Sequence, residues 1–137
     1  MYIGIASELI KKHEGLILKP YKCSAGKLTI GYGRNIEDNG ITLSEAEQML
    51  NNDIQNCYAE CIKLKCWNAL NEARQAVLLD MCFNLGISRL KNFKKMLAAL
   101  ERGEYKTAAT EMLDSNWAKQ VKGRATELSE IMKKGVL

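Results

Sequence analysis

Apolar side chains recur with helical spacing over the first fourteen residues, from Ile3 to Ile10. Glu14 lies four residues after Ile10 and continues the same stripe, and Gly15 follows it as a helix-ending signal. The pattern predicts a helix over 2–14. It also predicts that Glu14, at the end of that helix, lies half in the core and half in a cleft.

Residues 17–36 show a different pattern. The only proline of the chain, Pro20, precedes the run KCSAGK, which is typical of a turn. The run LTIGYGRNI then supplies β-branched and aromatic residues interrupted by Gly31 and Gly33. We therefore expect a short, twisted hairpin here, and it is the only β region that the sequence predicts.

Helical spacing returns at Thr42 and continues to the end of the chain. Thr42 precedes Glu45 by three residues, which is the spacing of a capping box, and Ile41 can serve as the hydrophobic staple. One long helix is predicted from Thr42 to about Leu64. Further helices are predicted over 67–84, 90–101, 104–113 and 123–134. The predicted fold class is α+β and mostly helical.

Composition and charge change this picture little. A chain of 137 residues is most simply one domain with a sizeable core. The net charge of +4 is spread along the chain except for KNFKK at 91–95. It allows nucleic-acid binding, although a clear footprint would be a denser basic stripe, and affinity for any polyanion, including an acidic cell-wall polymer, fits equally well. No apolar run reaches the ~18 residues of a membrane span, and the N-terminus lacks a signal-peptide pattern. We expect a protein that at first stays in the cytoplasm.

Five cysteines raise the question of a metal or disulfide site. Cys57, Cys61 and Cys66 follow the spacing CxxxCxxxxC, which is not a zinc-finger or zinc-ribbon pattern. Cys57 and Cys61 share one helical face, where a free cysteine packs as a small apolar residue. The odd count argues against a complete disulfide framework. We expect no metal.

Three polar residues stand out around the predicted hairpin. An arbitrary helix-end glutamate is usually only solvated, but Glu14 lies on the apolar side of its helix and faces a glycine-rich hairpin. Burial at a core edge would favour the protonated carboxyl that a general acid needs. Cys23 at the turn and Thr29 on the strand can reach the same cleft. By itself, such spacing matches many chains by chance.

The flanking residues are more specific. The pattern E-x8-C-x5-T within EGLILKPYKCSAGKLTIGYGRNI resembles the active-site region of the T-even phage lysozyme family, glycoside hydrolase family 24, to which lambdoid endolysins belong. ITLSEAEQMLNNDI resembles the start of its interdomain helix, ARQAVLLDMCFNLG its buried central helix, and WAKQVKGRATELSEIM its last motif. The resemblance covers nearly the whole chain. It implies a single lysozyme-like domain over 1–137, with a small β lobe at 15–41 and a helical lobe formed by 1–14 and 42–137.

The resemblance also implies hydrolysis of the β-1,4 bond between N-acetylmuramic acid and N-acetylglucosamine in peptidoglycan. Glu14 would be the general acid, Thr29 would help to hold the attacking water, and Cys23 stands where the family usually has a carboxylate. Cys23 could position the water or could act as a nucleophile. A thiolate there would need a cationic neighbour such as Lys22 or Lys27.

Further positions match residues that line or support the cleft of the family: Asn84, Gly86, Trp117, Gln120 and Arg124. Core packing is the alternative role for Trp117. Arg124 is expected to pair with Glu14, the alternative being a surface arginine. Arg34, which stands where the family often has histidine, is expected to form a structural pair with Asp53.

The function implied is that of a phage or prophage endolysin, a monomer without cofactor that binds peptidoglycan glycan strands. We expect it to accumulate in the host cytoplasm and to reach the periplasm through a separate holin, without stable membrane association and without nucleic acid. Three alternatives remain open, of which a helical nucleic-acid-binding protein rests only on the net charge of +4. A lysozyme-like binding module would recognise peptidoglycan without efficient cleavage, and a related hydrolase would act on chitin or chitosan.

Overall fold

The computed structural model describes residues 2–137, and the chain divides into two compact units, Met1–Gln48 and Met49–Leu137. The boundary between them falls inside the long helix α3, Leu43–Cys61. Residues 2–14, which the resemblance assigned to the helical lobe, fall in the first unit. The arrangement of the chain as one lysozyme-like domain stays a prediction.

The first unit begins with the predicted helix, α1. The sequence placed it over 2–14, and the structure confirms this with α1 at Tyr2–Glu14. Gly15 ends the helix with a left-handed φ of 70°, and its N–H donates to the Lys11 carbonyl at 3.0 Å. A glycine is favoured at this position because a Cβ is strained at positive φ.

A three-stranded antiparallel sheet follows, formed in order by β1 (Ile17–Lys22), β2 (Leu28–Gly31) and β3 (Arg34–Asn35). Ile17 pairs with Gly31 and Tyr21 with Thr29, so four steps along β1 match two along β2. This bulge surrounds Pro20, which has no N–H to donate to a neighbouring strand. The predicted hairpin is thus present, with an additional strand.

Two helix starts complete the first unit. The Asn35 side chain caps α2 (Ile36–Asn39) by accepting from the Asp38 N–H at 3.0 Å. The predicted capping box at the start of α3 is confirmed: the Thr42 N–H donates to Glu45 Oε1 at 2.8 Å, and the Glu45 N–H donates to Thr42 Oγ1 at 3.1 Å. Each cap satisfies a backbone N–H that the first helical turn leaves free.

The second unit contains the rest of α3, a short 3-10 helix at Trp67–Ala69, and the following helices: α4 (Glu72–Leu85), α5 (Ile87–Lys91), α6 (Lys94–Glu101), α7 (Tyr105–Leu113), α8 (Asn116–Val121) and α9 (Gly123–Lys134). Helix α7 packs against both α6 and α9. The core is apolar and fully enclosed at Leu78, Met81, Leu100, Met112 and Met132.

The start of α4 is tied to the end of α9. Arg74 donates from Nε to the Met132 carbonyl at 2.7 Å and from Nη2 to the Lys133 carbonyl at 3.1 Å, and its guanidinium stacks 3.5 Å from the centre of the Tyr105 ring. A cation at the C-terminus of a helix satisfies carbonyls that have no partner within the helix.

The α+β, mostly helical prediction is confirmed, but several boundaries differ. The helix predicted over 67–84 is interrupted because the Asn71 side chain accepts from the Arg74 N–H at 3.0 Å and starts a new helix. The helix predicted over 90–101 is two helices, separated at Asn92 and Phe93. Helix α8 was missed, although Ser115 caps it.

Candidate active site

Glu14 is the last residue of α1, and its side chain is exposed. The expectation that a core edge would half bury this carboxyl is wrong, because the large apolar side chains of α1, such as Ile10 at 52% exposure, do not enclose it. Among the described residues, none forms a hydrogen bond or an ion pair with Glu14. Its carboxyl is therefore available to a ligand.

The Glu14 side chain lies against the turn between β2 and β3. A Cβ built on Gly33 would lie 2.6 Å from Glu14 Oε2 and 3.0 Å from Cδ. Gly33 adopts a φ of 76°, so the backbone itself also favours glycine. The carboxylate thus occupies the space that a side chain at position 33 would fill.

Cys23 lies in the turn between β1 and β2 and is half-buried. The Cys23 N–H donates to the Lys27 carbonyl at 2.9 Å, and the Gly26 N–H donates to the Cys23 carbonyl at 2.8 Å. The pKa of the Cys23 thiol is lowered, first by hydrogen bonding from the Lys27 backbone, then from the Ala25 backbone and from the Thr29 side chain. Hydrogen bonds to a thiolate favour the ionised form.

Of the two candidate cations for Cys23, Lys22 and Lys27, the side chain of Lys27 binds carboxylates of α2 instead. The Lys27 ammonium lies 3.2 Å from Asp38 Oδ1 and 3.6 Å from Glu37 Oε2. It is therefore neutralised by carboxylates of α2. The backbone of Lys27, and not its side-chain charge, is the leading cause of the lowered Cys23 pKa.

Thr29 is buried at 3% exposure, on the strand that pairs with the residues just before Cys23. Its hydroxyl donates to the Lys27 carbonyl at 2.9 Å. A hydroxyl has a single proton, so it cannot donate fully to this carbonyl and to the Cys23 sulfur at the same time. This is consistent with the backbone N–H groups being the stronger influence on Cys23. Cys23 and Thr29 are brought together, and the convergence of both with Glu14 on one cleft stays a prediction.

Two arginines for which the sequence predicted ion pairs have other partners within their own units. The Arg34 guanidinium, expected to bind Asp53, binds Glu45, with Nη1 2.8 Å from Oε1, and also donates to the Gly40 carbonyl at 3.2 Å. These partners lie closer along the chain, where α3 begins.

Arg124, for which the sequence predicted a pair with Glu14, also has a partner within its own unit. It contacts Asp80 of α4, with Nε 2.8 Å and Nη2 2.7 Å from Oδ1. Sequence spacing could not reveal this pair because its members are 44 residues apart. Arg124 therefore joins α9 to α4 within the second unit.

The second unit holds the other predicted site residues. The Trp117 indole N–H donates to Asn84 Oδ1 at 2.8 Å, and the Trp117 ring packs edge-to-face on Phe93 with centroids 6.0 Å apart. Trp117 is buried, so the core-packing alternative describes its ring correctly. Gly86 ends α4 with a φ of 85°.

Trp117 and Gln120 also line an open cavity of about 630 Å³. Charged residues that the sequence did not single out as site residues line it too: Arg89, Lys94, Lys95, Glu111 and Asp114. The basic run at 91–95 could have indicated from the sequence that the lysines of this lining form part of a site. Its acidic part lies on and after α7, so only the fold brings the two signs of charge to one cavity.

Neither a metal site nor a membrane span is evident in the described part of the chain. Among residues 2–137, no group of three or more His, Cys, Asp or Glu side chains is arranged to hold a metal ion. None of the helices there combines the length and apolar character that crossing a bilayer requires.

The first unit thus carries Glu14 at the end of α1, Cys23 in the turn between β1 and β2, and Thr29 on β2. Residues 11–133 match the family model described as phage lysozyme. The chain belongs to the phage lysozyme family.

Curated relatives agree with this assignment. The chain is 34% identical to an endolysin of Acyrthosiphon pisum secondary endosymbiont phage 1, over 92% of this chain and 86% of that protein. It is 30% identical to the pre-baseplate central spike protein Gp5 of Enterobacteria phage T4, over 96% of this chain but only 28% of the spike protein. A probable T4-type lysozyme 2 of Dictyostelium discoideum is 26% identical, over 98% of this chain and 97% of the relative.

Proposed function

We propose that this chain is an endolysin that hydrolyses the β-1,4 bond between N-acetylmuramic acid and N-acetylglucosamine of peptidoglycan. The observation that carries the proposal is the exposed Glu14 carboxyl, held against Gly33 in the same compact unit as Cys23 and Thr29. All of these residues lie within the part of the chain that matches the phage lysozyme family.

Glu14 is proposed as the general acid. Protonation of the glycosidic oxygen lets the leaving sugar depart as an alcohol while positive charge develops at the anomeric carbon. This role requires a carboxyl group that substrate can reach. Glu14 meets this requirement because it is exposed and no described residue occupies it.

Cys23 and Thr29 are proposed to position the attacking water. Glycosidases normally supply a second carboxylate for this task, and here a thiol stands in its place. Hydrogen bonding lowers the Cys23 pKa, first through the Lys27 backbone, so the sulfur can accept a hydrogen bond from the water or take up its proton. The oxygen of that water bonds to the anomeric carbon as the bond to the leaving oxygen breaks. A covalent role for Cys23 is the alternative, and it would need the sulfur itself to attack.

The cavity of the second unit is proposed to bind glycan strands through Gln120, with Asn84, Gly86 and Trp117 supporting its wall. The Trp117 indole N–H is already bound to Asn84, so this side chain holds the wall in place and is not free to donate to a sugar. Arg124, bound to Asp80, lines a separate cavity of the second unit, where its proposed role is to support the packing of α9 on α4. We propose that the protein is a monomer that needs no cofactor.

The proposed biological role is lysis of the host of a phage or prophage. The protein would accumulate in the host cytoplasm and reach the peptidoglycan after a separate holin has permeabilised the inner membrane. Similarity to a phage endolysin over most of both chains supports this role.

Replacement of the proposed acid tests the function. Glu14→Gln keeps the shape of the side chain but removes its transferable proton, so clearing of outer-membrane-permeabilised Gram-negative cells should slow by about 10²-fold or more. Turbidity measures the rate. Glu8→Gln is the matched control, because Glu8 lies on the same helix, is exposed, and forms a long ion pair with Lys11, at 3.8 Å.

The outcome also separates the alternatives. The enzymatic proposal is wrong if wild-type protein clears cells no faster than Glu14→Gln. Retained sedimentation with purified peptidoglycan would then favour a binding module, which the missing second carboxylate makes a reasonable alternative. Release of reducing ends from chitin oligomers in preference to peptidoglycan would instead indicate a different glycan substrate.

A further inference from the structure

We propose that Gly33 is a positioning residue, because its lack of a side chain allows the Glu14 carboxylate to lie against the turn between β2 and β3. This inference rests on the proposed role of Glu14 as general acid. It concerns the absence of a side chain at position 33, which leaves room for the carboxylate beside the turn between β2 and β3.

The geometry around position 33 is close. A Cβ there would lie 2.6 Å from Glu14 Oε2, 3.0 Å from Cδ and 3.4 Å from Cγ. Carbon and oxygen atoms that are not bonded do not approach to 2.6 Å, so the carboxylate would have to move by roughly 0.5 Å or more to restore ordinary contact. It can move easily, since it is the far end of a flexible side chain. The fold should therefore tolerate the change while the carboxylate shifts.

Gly31 provides an internal comparison. Both glycines lie in the same segment and have left-handed φ angles, 72° at Gly31 and 76° at Gly33. A Cβ added at Gly31 meets nothing within 4 Å. Both positions impose the same kind of backbone strain on a non-glycine residue, but only position 33 has a carboxylate in the space of the missing side chain.

Contact with the turn matters because Glu14 has little else to fix its position. The end of α1 holds its backbone, and no described residue donates a hydrogen bond to its carboxylate. The approach to Gly33 is therefore the contact that limits where the carboxylate can lie. A general acid displaced by about 1 Å can lose about 10²-fold in rate, because proton transfer depends on its distance from the leaving oxygen.

The test compares Gly33→Ala with Gly31→Ala in stability and in activity. Urea unfolding should give similar shifts of the midpoint, because the backbone strain is similar. On soluble peptidoglycan glycan chains, kcat of Gly33→Ala should fall roughly 10- to 100-fold below that of Gly31→Ala, with KM changed by less than about twofold. If Gly33→Ala does not fold, Gly33→Asn replaces it, because asparagine tolerates positive φ better and still adds a Cβ.

A second measurement does not depend on activity. In protein labelled with glutamate carrying ¹³C at the side-chain carboxyl, the Glu14 signal is assigned by its loss in Glu14→Gln. That signal should move in Gly33→Ala and stay in place in Gly31→Ala. A purely structural role for Gly33 would give equal activity per folded molecule in both alanine variants and an unmoved Glu14 signal, and either result would overturn the inference.

The two proposals fail separately. An active Glu14→Gln variant would remove the general-acid role, while the carboxyl signal would still report whether Gly33 sets its position. If Glu14→Gln is inactive while Gly33→Ala and Gly31→Ala have the same activity and the same Glu14 signal, Glu14 remains the proposed acid. Only the role of Gly33 is then removed.

Discussion

The two compact units of this protein differ in the interactions that stabilise each of them internally. Among the described positions of the first unit, the one buried residue is polar, Thr29, while Ile3 and Leu18 are 84% and 76% exposed. The second unit encloses a continuous apolar core that includes Leu78 and Met112, both fully buried. A segment of fewer than 50 residues has too little interior to enclose such a core.

Polar contacts take the place of a core in the first unit. The capping box of Thr42 and Glu45, the pairing of Arg34 with Glu45, and the contact of Lys27 with Asp38 each fix a turn or a helix start. The proposed chemistry uses the same unit. Of the three residues proposed for it, Glu14 is exposed beside Gly33, Cys23 is half-buried and Thr29 is buried.

The largest difference between the two units should be in the free energy of unfolding that is lost when an apolar side chain is truncated. Leu78→Ala should destabilise the protein by about 2–5 kcal/mol, because it leaves a cavity in a packed core. Leu18→Ala should change the free energy of unfolding by less than about 0.5 kcal/mol, since most of that side chain is already in water. Urea denaturation followed by circular dichroism measures both. A cost at Leu18 similar to that at Leu78 would show that Leu18 is buried in solution.

The cysteine thiols of the two units should differ in reactivity, and the exposed first unit should contain the more reactive thiol. Burial raises the pKa of Cys57 to about 11, from 9.0, and burial also raises the pKa of the other thiols of the second unit, whereas the pKa of Cys23 is lowered. A pKa that is higher by about 2 makes the thiolate form about 100-fold scarcer at neutral pH. Iodoacetamide should therefore alkylate Cys23 at least about 100-fold faster than Cys57.

Peptide mass spectrometry of a time course measures the alkylation rates. Cys23→Ser is the control, and it should abolish the fast phase while leaving the slow phase unchanged. Labelling of Cys57 as fast as Cys23 would mean that the core of the second unit opens often enough to expose its thiols.

The smallest effect on stability should come from loss of the exposed ion pair between Arg34 and Glu45. This effect should depend on pH. The hydrogen bond from Arg34, followed by that from the Thr42 backbone, lowers the pKa of Glu45 from 4.5 to about 2. A lowered folded-state pKa contributes stability above the unfolded pKa of about 4.5, and this contribution is lost as the pH falls towards about 2. Glu45→Gln, which can still accept from the Thr42 N–H, should therefore be less stable than wild type near neutral pH and equally stable near pH 2.

The matched control is Glu104→Gln in the second unit. Arg102 also lowers the pKa of Glu104, but these partners are two residues apart and join no distant segments. Its stability deficit near neutral pH should be smaller than that of Glu45→Gln in urea titrations at several pH values. A deficit of Glu45→Gln that persists unchanged at about pH 2 would contradict the ion-pair explanation.

Local patterns in the sequence were sufficient for much of the fold. Helix α1, the capping box at Thr42 and the turn at Cys23 were predicted because each depends on residues a few positions apart. The division of the segment 67–84 was missed because the cap by Asn71 interrupts an apolar pattern that continues through it. Helix α8 was missed because it is only six residues long.

The sequence by itself determined the fold class and the family, since these depend on composition, spacing and order along the chain, and it suggested the three residues proposed as catalytic. Only the tertiary structure decided the partners of those residues. It showed that Arg124 binds Asp80, that Arg34 binds Glu45, that Glu14 is exposed, and that Gly33 leaves space for its carboxylate. Such contacts join side chains from separate elements, and spacing along a chain does not specify which side chains meet when the elements pack.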